Sequence, residues 1–216
     1  DLHSFPTRRS SDLPGSDKTP GLTLQLNQPA WLRVCKLLRA CLDITPRIGL
    51  RPITLHGTVT DHAATITAIM WNGPAAVRAR TTIQNAGADG DATAHILPDT
   101  VRAWLRYMRG RATLTIEGGG ASVTADDTTI TAAATVAGPA WADLAGKTPD
   151  DGQARCAYTP ETMTGVYRAL ARARVPAVQV IGADGGPTRL WAASDTMRID
   201  ALIMPIRFPL HEEDTK

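Results

Sequence analysis

Three times in this 216-residue chain a proline opens a short amphipathic stretch whose polar side is made of arginine and lysine. The stretches begin at Pro29, Pro98 and Pro160. Each follows a short strand-like run and precedes alternating, threonine- and valine-rich segments. The chain therefore reads as one strand–helix–hairpin unit used three times, an α+β pattern with antiparallel sheets. Proline suits a first helical position because its missing N–H would be unpaired there, and Asp99 and Glu161 then favour the helix dipole.

Charge is sorted along the same repeat. Residues 30–42, 100–111 and 161–174 hold ten basic side chains and one acid, although the whole chain has 23 bases and 21 acids. Positive charge is thus gathered on the helices, and the strands and loops are net negative. Attraction to a polyanion is summed over the face that meets it, so this sorting points to phosphate. Solvated helix faces usually interleave Glu with Lys four residues apart, and these do not. The DNA-binding candidates are Arg33, Lys36 and Arg39 on the first stretch, Arg102, Arg106 and Arg109 on the second, and Arg168 and Arg172 on the third.

Residues 3–13 (HSFPTRRSSDL) resemble the in-frame translation of a sequencing adaptor, so Arg8 and Arg9 are not counted toward binding. The turn-forming residues after them read as a linker, and structured sequence is expected from Leu22. No apolar run approaches the ~20 residues that a membrane-spanning helix needs, and a cytoplasmic location is expected. Cys35, Cys41 and Cys156 form no CxxC pair and read as buried free thiols.

In the first unit the strand LTLQL leads into a helix with Trp31, Val34, Cys35, Leu38 and Leu42 inward, and the strands ITLHGTV, ATITAIMW and AVRARTTI follow. The second unit has TAHIL, a helix from Pro98 to about Gly110, a hairpin turning at Gly118–Gly120, and the strand TTITAAATV. A connector spans Ala140 to Gln153. The third unit has ARCAYT, a helix from Pro160 to Ala173, a turn at Asp184–Gly185, and the closing run MRIDALIMPIRF.

No catalytic constellation is legible: there is no nucleophile elbow, no phosphate loop and no carboxylate cluster. His56, Asp61 and His62 are the residues a metal-dependent enzyme would use, but their spacing on a strand–turn–strand gives imidazoles no preferred geometry, and a surface turn is the simpler reading. No metal and no cofactor is expected.

The segments HILPDTVRAWLRYMRG through Leu144 and TRLWAASDTMRIDALIMPIRF (Thr188 to Phe208) resemble the bacterial DNA sliding clamp, the beta subunit of DNA polymerase III. The second carries an Asp-x-x-Arg-aliphatic motif (Asp195, Arg198, Ile199) and a Met-Pro-aliphatic-Arg run from Met204 to Arg207, with Thr196–Met197 where the family commonly has Gly-His. The resemblance implies a DNA-clamp-like α+β fold: three repeated half-domains, helices on one face of curved antiparallel sheets, where a family subunit has six. The chain thus reads as a short or truncated clamp-like member. It divides into residues 1–21, a clamp-like domain of two half-domains over 22–144, and a third half-domain with a tail over 145–216.

The implied function is that of a processivity factor, not an enzyme: it binds or encircles duplex DNA and tethers a DNA polymerase, with a clamp loader and further copies of itself as partners. The alternative is a clamp-derived interaction module that binds polymerase or a host clamp without encircling DNA. Ser194, Arg198, Ile199, Met204, Pro205 and Ile206 are the candidates for a peptide groove. An ordinary terminal strand is the competing reading of the same residues.

Overall fold

A computed structural model describes residues 21–45, 51–84, 90–145, 158–175, 177–181 and 187–204. The first strand, β1 (Leu22–Leu26), alternates buried and exposed residues. Helix α1 (Gln28–Asp43) starts where the Asn27 side chain accepts the Ala30 N–H at 2.9 Å, with Pro29 in the first turn. Strands β2 (Ile53–Thr60), β3 (Ala63–Trp71) and β4 (Ala75–Gln84) form the expected antiparallel meander. Asp61 and His62 are the two-residue turn between β2 and β3, with φ of 51° and 64°, the left-handed conformation that tight hairpins require.

The second unit contains β5 (Gly90–Ile96), α2 (Pro98–Tyr107), β6 (Ala112–Glu117), β7 (Gly120–Ala125) and β8 (Thr128–Ala132). Gly118 and Gly119 make the β6–β7 turn with φ of 57° and 78°. Three boundaries differ from the sequence expectation. Helix α2 stops at Tyr107, because Met108 turns extended, buries its side chain and gives its carbonyl to the Trp31 indole N–H at 3.1 Å. Strand β8 ends at Ala132, short of Val136. The connector holds a short helix, α3 (Trp141–Ala145). In the third unit α4 (Pro160–Ala171) is followed by β9 (Gln179–Ile181), β10 (Thr188–Ser194) and β11 (Met197–Ile203). Residues 154–157 of the strand expected before α4, and the turn at Asp184–Gly185, lie outside the described residues.

The strands form two sheets, ordered β1-β6-β7-β8 and β5-β2-β3-β4-β11-β10-β9. Each of the first two units lends its leading strand to the other's sheet, β1 to the second and β5 to the first, so neither can close its core alone. The third unit adds to the first: β11 pairs antiparallel with β4, Ala79 opposite Ile199. The seven-stranded sheet therefore runs across the boundary expected near residue 144.

By register Ala94, Leu55, Ala68, Ala79, Ile199 and Ala192 form one cross-sheet row, and all are buried in a core that draws on all three units. Helices α1 and α4 cover this side, both packing on β4 and β11. At about 1.5–3 kcal/mol for each large aliphatic side chain removed from water, this shared core is what joins the third unit to the rest. Helix α1 is buried on more sides than its apolar stripe indicated, Leu37, Ala40 and Cys41 included, because α4 and α2 flank it. Burial pushes the Cys35 thiol up to about 11 and raises Cys41 as well, so both persist as inert thiols. Where α4 crosses the end of α1, a Cβ on Gly165 would lie 2.9 Å from the Asp43 carbonyl oxygen. The close approach explains a glycine inside a helix.

Candidate nucleic-acid interface

The helices reach one another on the covered side of the sheet: α4 packs on α1, and α1 touches α2 through the Trp31–Met108 hydrogen bond. Between α1 and α4 runs a groove of about 310 Å³ lined by Lys36, Arg39, Arg168, Ala171, Arg172 and Arg174. Five of the six lining residues are cations and none is an acid. Lys36 and Arg39 are three apart on α1, and Arg168 stands in the last turn of α4, where the helix dipole favours a positive charge. Arg174 belongs to the third basic stretch and is not among the sequence candidates. It follows the helix end in a left-handed conformation (φ 55°) and contributes to the groove from there.

The other candidates fare differently. Arg172 is clasped by Asp43 through two hydrogen bonds, Nε at 2.8 Å and Nη2 at 2.9 Å. Those bonds raise its pKa and make it first a tie between α4 and α1. Arg33 is half-buried, with Nη1 3.5 Å from the Thr82 carbonyl oxygen. Arg102 pairs with Asp99 at 2.6 Å on the surface of α2. Arg106 is exposed, but Arg109 lies beyond the end of α2, so the expected helical stripe of Arg102, Arg106 and Arg109 is cut after its second member.

The described members of the expected peptide set do not share one groove. Ser194 faces Met197 at one end of the β10–β11 hairpin, whereas Met204 follows β11 at the other. At about 3.3 Å per residue they are separated by roughly 20 Å. Strand alternation puts Arg198 and Ile199 on opposite faces, and Ile199 is fully buried in the core. Met204 is partly exposed and donates its N–H to the Pro74 carbonyl at 2.8 Å. Pro205 and Ile206 lie outside the described residues.

Arg198 belongs instead to a cluster on the opposite face of the sheet, where α3 packs through Trp141 on Ala76 and Leu202. Asp200, its side chain 3% exposed, receives Arg78 at 3.1 Å, Arg189 at 3.0 Å and Arg198 at 3.2 Å. Burial alone would raise the Asp200 carboxyl, but the three guanidiniums outweigh it and hold the group below its usual range. Arg78 lies over the Trp141 ring of α3 at 4.6 Å, and Arg198 over Trp191 at 5.0 Å. No sequence signal marked Asp200, because a lone acid on a strand reads as solvated until its partners are known.

The residues considered for a metal are dispersed. His56 is within hydrogen-bond reach of Thr93 and Thr58 at 2.9 Å each, while Asp61 and His62 are spent on the β2–β3 turn. Among the described residues no three metal-ligating side chains cluster, and no helix is long and apolar enough to cross a membrane.

No protein-family model matches the sequence, and no curated protein is similar to it in sequence. Solved structures do match in fold. The Helicobacter pylori beta clamp in complex with 3,4-difluorobenzamide aligns with a TM-score of 0.65 at 9% identity, covering 91% of this chain and 68% of that one. The DNA polymerase sliding clamp of Caulobacter crescentus aligns at 0.64 with 10% identity, over 92% and 69%. The Thermotoga maritima DNA polymerase III beta subunit aligns at 0.56 with 12% identity, over 90% and 68%. The chain has the fold of the bacterial beta sliding clamp.

Proposed function

We propose that this chain, built on the beta-clamp fold, is a clamp-type processivity factor that holds duplex DNA without reading its sequence and tethers a DNA polymerase to it. The observation that carries this reading is the α1–α4 groove, where Lys36, Arg39, Arg168 and Arg174 meet with no acid in the lining. Arg33 and Arg106 are further cations that this reading assigns to the DNA-facing side. These groups are point charges and forks suited to phosphate oxygens, so contact is with the DNA backbone and is salt-sensitive. It acts by binding and not by catalysis, in the cytoplasm, and weak contacts per subunit suit sliding.

Retention on DNA then depends on topology, and further copies complete the enclosure. Among the described residues β8 and β9 each end their sheet, edges this reading assigns to that assembly, and on β9 both Val180 and Ile181 are exposed. The test is retention of the purified chain on nicked circular and on linear duplex, alongside its molar mass in solution. A clamp stays on the circle, slides off the free ends and has a discrete oligomeric mass, and the K36E/R39E/R168E variant loses retention. A monomer that binds circle and linear DNA equally is the non-encircling module. A chain that ignores DNA even in dilute buffer overturns the reading.

A further inference from the structure

The face of the seven-stranded sheet opposite α1 and α4 carries more positive charge than its buried carboxylate can neutralise. Arg78 and Arg80 alternate with buried Val77 and Ala79 along β4, so both side chains stand on this face. Arg198 of β11 lies directly opposite Arg80 in register, and Asp200 lies opposite Arg78. Arg78, Arg189 and Arg198 are bound to Asp200 at 3.0 to 3.2 Å. Arg80 is exposed, and among the described residues no acid pairs with it.

The surplus is visible in the bonding of each neighbour. Like charges directly opposite on adjacent strands destabilise a sheet, and Arg80 and Arg198 form such a pair. Arg198 turns Nε and Nη2 to Asp200 at 3.3 and 3.2 Å, which leaves its Nη1 for another acceptor. Arg189 Nε is buried with no hydrogen-bond partner. Burial lowers the Arg78 pKa, the Arg80 and Arg189 charges add to that, and the Asp200 bonds offset them only in part. Trp141 lies over Arg78 and Trp191 takes one face of Arg198, so the cluster opens toward Arg80. Ala193, small and exposed, is the β10 residue opposite Arg198 and leaves the space beside it open.

We propose that Arg80 and Arg198 form a site for a phosphate dianion, held between their guanidinium forks on the side of the sheet away from the helix groove. A phosphate supplies what this cluster lacks, since it adds acceptor oxygens and negative charge at once and suits the planar fork of arginine. It would turn a repulsive cross-strand pair into a bridge. Inorganic phosphate and the phosphate of a nucleotide present the same oxygens, and the site recognises that shared chemistry. The inference needs neither the helix groove nor a ring, so it stands or falls separately from the DNA reading.

The test is urea unfolding of the full chain at mildly alkaline pH, with inorganic phosphate or a nucleoside monophosphate added and chloride holding ionic strength equal. Either ligand raises the urea midpoint as its concentration rises, because a ligand of the folded state stabilises it. R80A weakens both at least about tenfold. In phosphate-free buffer the R80A midpoint equals or exceeds that of the parent, because the like-charge pair is gone. The K36E/R39E/R168E variant keeps the whole response, which separates this anion from the helix groove. Equal affinity for the two ligands assigns the site to free phosphate, and tighter binding of the nucleotide assigns it to a phosphate carried on a larger molecule. A midpoint that follows ionic strength alone, a response unchanged in R80A or lost in K36E/R39E/R168E, or an R80A chain less stable than the parent without phosphate overturns the proposal. Loss of retention on circular DNA in R80A overturns it too, by giving this face to the duplex.

Discussion

The two sides of the seven-stranded sheet use arginine in opposite ways. On the helix side Arg39, Arg168 and Arg174 stand with Lys36 around a groove without acids. On the other side Arg78, Arg189 and Arg198 converge on a buried carboxylate. A guanidinium whose counter-ion is desolvated with it is part of the structure, whereas one that keeps its water is free to exchange that water for phosphate. The same residue type thus serves cohesion on one face and, in the function proposed above, recognition on the other.

The largest effect should come from removing the shared counter-ion. D200A leaves three crowded cations without a partner and is expected to cost about 3–5 kcal/mol, read as a lower urea midpoint. Acid tests the same contrast. The Asp200 carboxyl is held below the ordinary value of 3.8, so its contribution to stability is complete above that value and is lost as pH falls through the folded one. D200N should therefore lose stability at neutral pH and show a flatter acid limb than the parent chain.

Arg172 sits between the two classes and gives an intermediate effect. R172A breaks the two-pronged pair with Asp43 and should cost about 1–2 kcal/mol, with duplex affinity falling less than in the groove variants. Smallest in stability are K36A and R168A, within about 0.5 kcal/mol of the parent. Each of these should nonetheless lower the slope of log affinity against log salt by about 1, measured by fluorescence anisotropy of a labelled duplex. If R172A changes that slope as much as K36A and leaves the urea midpoint alone, the division between structural and available arginine fails.

Much of the local structure was legible because its causes are local. Pro29 marks a helix start, Gly118 and Gly119 supply the conformations of a tight turn, and period-two alternation marks β2 to β4. The second buried side of α1 was not legible, since Leu37, Ala40 and Cys41 are covered by elements from other units. Nor was the end of α2, which follows from the Trp31 hydrogen bond to Met108, 77 positions away in sequence. The candidate site divides in the same way. Its cations were countable, but not that Arg168 and Arg174 would face Lys36, that Asp43 would claim Arg172, or that Ser194 and Met204 would lie at opposite ends of a hairpin.

The order of amino acids by itself determined three helix-and-hairpin units, their turns and the sorting of charge onto the helices, because propensity, capping and periodicity act over a few residues. Tertiary structure alone decided that the first two units exchange their leading strands, that the third extends the sheet of the first, and which cations are neutralised. Pairing partners far apart in the chain are selected by which arrangement buries the most apolar surface with every polar group satisfied. That is a property of the whole packing and of no single segment.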